Sequence, residues 1–187
     1  LYGGGLGTPL GGLINVVTAR PDDEMGGYVA LRAGSFSTIN PYGELNLPLG
    51  EGIAARIAGE YQSNDSWIDL VDEERWSVQP SVSFRPGPDT ELVLQGQLNH
   101  RSSLEYSGIP AGQALAGEID RDTFPGAPVG QPPTENDNRM GTASLRHSFS
   151  DGLVLNVTGR YYSGEIDEFG SFVSPSFFPA DPATPTV

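Results

Sequence analysis

Apolar and polar side chains alternate with a period of two along this chain, in segments of about ten residues parted by turn-forming residues. Successive strand residues point to opposite faces, so each segment presents one apolar and one polar side. Seven strands are predicted: Tyr28 to Phe36, Ile39 to Leu47, Ile53 to Gln62, Arg75 to Arg85, Glu91 to Arg101, Met140 to Phe149 and Leu153 to Tyr162. Gly (25) and Pro (16) make up about a fifth of the 187 residues, which argues against a helical protein. No apolar run approaches the ~20 residues of a membrane-spanning helix.

The connections alternate in length. Short turns at 48–52, 86–90 and 150–152 join strands two to three, four to five and six to seven. Polar loops at 63–74 and 102–139, and a tail after Ser163, lie at the other end. Short turns on one side and long loops on the other are the pattern of an outer-membrane barrel, and a soluble sandwich has no need of that segregation. The chain opens at Leu1 without a Met and stops in a Pro-rich stretch, which reads as part of something longer. Seven strands leave two unpaired edges that lipid cannot satisfy. Residues 1–187 alone are therefore expected to aggregate or stay unfolded.

One register puts the large apolar residues of every strand on one face. That face carries Leu31, Leu45, Ile57, Trp76, Val82, Leu94, Leu145 and Val157, among others. The opposite face carries Arg32, Glu44, Arg56, Glu60, Arg75, Arg85, Glu91, Arg101, Arg146 and Arg160, and no charge falls on the apolar one. Alternation alone leaves two architectures. A soluble body hides the apolar face, whereas a membrane barrel turns it to lipid and lines a polar lumen with the charges. Aromatic placement favours the second. Tyr61, Trp76 and Tyr161 sit at the long-loop ends, and Phe84 and Phe149 at the short-turn ends. Trp76 to Phe84 spans about 27 Å of strand at ~3.4 Å per residue. With a tilt of ~40° that is about 20 Å of height, close to the ~25 Å band between aromatic girdles. Pro41 and Pro80 fall inside strands and each removes a ladder donor, for which a bulge is the expected accommodation.

Ten basic residues, all Arg, oppose 24 acids, for a net charge of −14. No positive field is available to hold phosphates, so nucleic acid is not an expected partner. With no Cys, there is neither a disulfide framework nor a thiolate metal site. Residues 1–21 read LYGGGLGTPLGGLINVVTARP. No Gly-Lys-Ser/Thr follows the glycines, and they do not fit a dinucleotide fingerprint before a helix. Leu13 to Thr18 reads instead as a β-branched strand.

The same segment resembles the close of the plug domain in the TonB-dependent outer-membrane receptors, in particular the ferric-siderophore receptors. The resemblance runs on in order through LRAGSF (31–36), PLGEG (48–52), AGEYQSNDSW (58–67), the 74–92 block, SGIPA (107–111), DRDTFPGAP (120–128), DNR (137–139) and FSDG (149–152). It implies an all-β fold: part of a 22-stranded antiparallel transmembrane barrel preceded by the last segment of a plug. Residues 1–24 would be the plug's C-terminal end and linker, and 25–187 the first seven barrel strands. It further implies an outer-membrane location in a Gram-negative bacterium, a ferric siderophore as ligand, outer-membrane lipid as surroundings, and a TonB energy-coupling protein that engages a region absent from this chain. The long loops would be extracellular and the short turns periplasmic.

Ferric siderophores are bulky polar chelates, and a site for them needs aromatic faces together with Arg or Tyr to meet oxygen atoms or negative charge. The ligand-binding candidates are Arg101 at the end of strand five, Tyr106 beyond it and Tyr162 at the end of strand seven. In the related ferrichrome receptor an aromatic pair near the matching Gly/Pro motif touches ligand. Tyr106 matches one member of that pair, and Gly108 stands at the other position. The competing role for Arg101 and Tyr162 is lumen lining. Arg32, Arg56, Arg85, Arg146 and Arg160 are read as lumen-facing partners of acids on the plug and neighbouring strands. His100 and His147 fall on the apolar face near opposite rims, too far apart to share a metal. The loop acids lack calcium-loop spacing. No cofactor or resident metal is expected. A TonB-dependent receptor for a vitamin, sugar or other metal chelate is one alternative, and a secreted β-rich binding module is another. Nothing in the sequence carries a nucleophile or acid–base motif specific enough to suggest an enzyme.

Overall fold

The computed structural model describes residues 18–124 and 130–170; the Gly-rich segment before Thr18 and the Pro-rich tail lie outside the described residues. One antiparallel sheet runs in chain order: β1 (Gly26–Ala33), β2 (Ile39–Gly50), β3 (Ile53–Asp65), β4 (Asp72–Gly87), β5 (Thr90–Ser103), β6 (Thr134–Ser150) and β7 (Leu153–Asp167). Each strand pairs with its sequence neighbour, the up-and-down order of a barrel wall. Among the described residues one short helix, α1 (Ala111–Ala116), lies in the loop between β5 and β6 and ends at Gly117.

The register confirms the two faces. Leu45 lies opposite Ile57, Ala55 opposite Val82, Val82 opposite Leu94, and Leu145 opposite Val157. All ten charges assigned to the polar face share it, as the pairs Glu44–Ala58, Arg56–Ser81, Arg75–Arg101 and Glu91–Arg146 show. No second layer covers the apolar side among the described residues. Leu31 is 68% exposed, Ile57 48% and Leu94 50%. The fully buried side chains are instead Asn40, Ser83 and Ala54, with Val93 nearly so, all on the polar side of the sheet. A water-soluble sandwich buries its apolar face. This sheet is inverted, as a lipid-facing wall must be.

Several boundaries differ from expectation. Gly34 to Phe36 leave β1 for a tight turn in which Gly34 N–H donates to Thr38 O at 3.1 Å and Thr38 Oγ1 to Ser35 O at 2.6 Å. Phe36 and Ser37 take positive φ there. At the long-loop end β3, β4, β5, β6 and β7 all run past their predicted limits, β4 beginning at Asp72 rather than Arg75 and β6 at Thr134 rather than Met140. These extensions put Asp65, Asp72, Glu74, Glu135, Asp137, Arg139, Glu165 and Asp167 at apolar-face positions of the register, which corrects the expectation of a charge-free side. Alternation fades where both faces meet water, but the backbone ladder still has a neighbour to bond.

The two prolines sit without bulges. Register shifts occur at Pro48/Gly50, Phe84/Gly87 and Ser148/Ser150, beside the short turns, while the register on either side of Pro41 and Pro80 is continuous. Beside Pro41 the buried Asn40 amide donates to Tyr61 O at 2.8 Å, supplying the bond the proline cannot. Pro80 faces Gly96, where a Cβ would lie 3.1 Å from the proline ring. At the β2–β3 turn Gly52 has φ +70°, a Cβ there would sit 2.1 Å from Arg85 O, and Arg85 N–H donates to Gly52 O at 2.7 Å. Only glycine fits that corner.

Candidate functional site: the polar face and its loop roots

At the short-turn end the segment preceding β1 lies across the polar face. Arg20 pairs with Glu91 at 3.0 Å, Arg85 pairs with Asp23, and Asn46 Nδ2 donates to Asp22 O and Glu24 O. Further along, Thr18 and Ala19 border a recess with Glu44, Arg56, Gln79 and Gln97. The segment before β1 is thus held by charge and amide bonds to β2, β4 and β5, across sequence separations of 22 to 71 residues.

Higher on the face the arginines divide. Arg56 pairs with Glu44 on the adjacent strand. Arg32 meets no acid. It donates to Asn40 Oδ1 at 3.0 Å and lies 5.1 Å from the Tyr42 ring centroid, a cation–π contact. Arg75 donates to Gln62 Oε1 at 2.7 Å. Arg146 and Arg160 have the expected face, and no ion pair joins either among the described residues.

The three ligand-binding candidates separate in space. Arg101 stands on the polar face near the end of β5 and donates to Glu73 of β4 at 2.8 Å. Tyr162 lies on the polar face of β7, and its hydroxyl donates to Asn138 Oδ1. Tyr106 lies in the loop after β5, with its ring 6.0 Å from that of Phe124. Phe124 is buried, as is Ile68 of the loop between β3 and β4, and Asp69 N–H donates to Asp122 O at 2.7 Å. The two loops form one small folded cap, to which the Tyr106 ring is joined through Phe124.

Arg101 also borders an open recess of about 370 Å³ at the loop roots, together with Phe36, Asp65, Trp67, Glu73 and Glu105. It combines two aromatic side chains with ionised groups, the composition a polar chelate requires. Phe36 and Trp67 were not anticipated as site residues. They reach this rim through a positive-φ turn and a loop, neither of which has a periodic signal. A larger recess, about 620 Å³, includes Glu74, His100, Ser102 and Glu135, all on the apolar side of the sheet. It shares Asp72, Ser103 and Leu104 with the smaller recess and no lining residue with the linker. His100 stacks on Trp76 at 5.8 Å and contacts Asp137 at 3.1 Å, whereas His147 lies at the opposite end against Thr90 and the Phe149 ring. No group of three or more metal-ligating side chains gathers among the described residues.

No family model matches the chain. Among curated proteins it is 29% identical over 169 residues to the metal-pseudopaline receptor CntO of Pseudomonas aeruginosa, covering 89% of this chain and 24% of that one. It is 26% identical over 175 residues to the probable TonB-dependent siderophore receptor PiuA of Acinetobacter baumannii, covering 88% and 23%. The chain therefore spans about a quarter of the length of these relatives. The crystal structure of PiuA superimposes with a TM-score of 0.67 at 22% identity, over 80% of this chain and 22% of that one. The closed form of the ferric-catecholate import receptor Fiu from Escherichia coli K12 gives 0.71 at 22% identity, over 84% and 24%. Along most of its length the chain is thus similar to siderophore receptors, and its sheet superimposes on part of theirs, which gives it the fold of part of such a barrel wall.

Proposed function

We propose that this chain is part of an outer-membrane, TonB-dependent receptor that imports a ferric siderophore. One observation supports the reading most directly: the sheet exposes its large apolar residues while its opposite face holds ion pairs and a linker laid across them. A wall of that sidedness belongs in lipid around a polar lumen. Residues 1–24 are then the end of the plug and its linker, and 25–187 the first seven strands of a 22-stranded barrel. The five arginines Arg32, Arg56, Arg85, Arg146 and Arg160 face that lumen. Arg101 and Tyr162 stand where a ligand entering above the plug would meet them, with Tyr106 in the loop cap.

Energy for release comes, on this reading, from a TonB protein that engages a region outside this chain. The relatives are named as receptors. Deletion of the complete gene, followed by growth on defined ferric siderophores as the iron source, tests the proposal. Loss of growth on at least one, restored by the gene in trans, is expected. Unchanged iron uptake on all of them, with loss of growth on a vitamin or sugar, favours the same machinery with another cargo.

A further inference from the structure

The net charge of −14 is not spread evenly. Segments 63–74, 102–139 and 163–187, the long connections together with the strand ends that flank them, hold fifteen of the 24 acids and two of the ten arginines, and so carry −13 of the −14. The rest of the chain is close to neutral, with nine acids against eight arginines. Three of those nine acids, Asp23, Glu44 and Glu91, are ion-paired with arginines of the same set, whereas of the fifteen only Glu73 pairs with an arginine among the described residues. In the recess at the loop roots Arg101 is taken by Glu73, while Asp65 and Glu105 have no ion-pair partner among the described residues. The recess therefore keeps a negative surplus beside the side chains of Phe36 and Trp67.

A cleft walled by one sign of charge focuses its field outward, attracting the opposite sign and repelling its own. An aromatic ring beside carboxylates adds a cation–π face. On the siderophore reading, we infer that the cargo admitted past these loops is a ferric chelate of net positive charge, with a protonated amine received between Asp65 and Glu105 beside Phe36 and Trp67. A polyanionic chelate would meet repulsion from all three loops.

The test measures binding of three ferric complexes to the intact receptor in detergent by tryptophan quenching. The three are a linear trihydroxamate with a free terminal amine, the same chelate acetylated, and the same chelate succinylated, so iron coordination is constant while charge steps from positive through neutral to negative. A ferric tris-catecholate is the fourth ligand. The free-amine complex is expected to bind the tightest, about tenfold or more above the succinylated one at low salt, with the gap closing at 0.5 M salt as the field is screened. Asp65→Asn combined with Glu105→Gln is expected to reduce the preference several-fold. Equal binding of the three hydroxamates, a reversed order, or binding of the catecholate alone overturns the inference and leaves the siderophore reading standing. Binding of none of the four overturns both. Undiminished preference in the double variant overturns the assignment to this recess.

Discussion

The two halves of β6 follow different rules. From Met140 to Ser150 its apolar-face residues are Gly141, Ala143, Leu145 and His147, and the alternate positions carry Thr142, Ser144 and Arg146. From Thr134 to Arg139 the strand reads TENDNR, polar on both faces, yet it stays paired with β5 through Ser103 and with β7 through Asp167. The lower half is shaped by two solvents, lipid on one side and a polar interior on the other. The upper half meets water on both sides and is kept by the ladder with side-chain bonds such as Tyr162 to Asn138 and His100 to Asp137. The row where they meet holds Tyr61, Trp76 and His100, side by side on β3, β4 and β5. A period of two thus reports the environment of a strand, and where the environments become alike it falls silent although the strand continues.

Charge substitutions on the apolar face sharpen that division most. Ile57 lies midway between the aromatic row and the short turns. Ile57→Arg in the intact receptor is expected to cost about 2–4 kcal/mol, the penalty for a cation near the bilayer midplane. Urea unfolding in lipid vesicles checks it, and a cost below about 1 kcal/mol would place Ile57 outside hydrocarbon. Asn40 tests the polar face at the same wall. Asn40→Ala leaves Tyr61 O and the Arg32 guanidinium without the groups they bond, and is expected to destabilise by about 1–3 kcal/mol in the same assay. The smallest change is expected from Glu165→Arg, on the apolar face of β7 but above the aromatic row. Its cost should fall within about 0–1 kcal/mol, the range near the interface, and its heat-modifiable migration should match wild type. A cost equal to that of Ile57→Arg would erase the distinction between the halves.

Legibility followed the same line. Alternation located all seven strands and both faces, and turn chemistry located the short connections, because each depends on neighbours within a few residues. The accommodation of Pro41 and Pro80 was not legible as drawn. Asn40 and Gly96 are ordinary strand residues until the register sets one beside Tyr61 and the other opposite Pro80. The loop site was legible only in part. Arg101 and Tyr106 could be named from position and resemblance, but the meeting of Arg101 with Glu73, Phe36 and Trp67 joins three connections far apart in sequence.

By itself, then, the sequence determined which stretches become strands, which side of each is apolar and where the negative charge collects, since composition and period act locally. The tertiary structure alone decided how far each strand runs beyond the apolar band, how a proline's missing donor is replaced and which loop residues share a recess. Those outcomes depend on hydrogen bonds and contacts between distant segments, and no local pattern encodes the register that creates them.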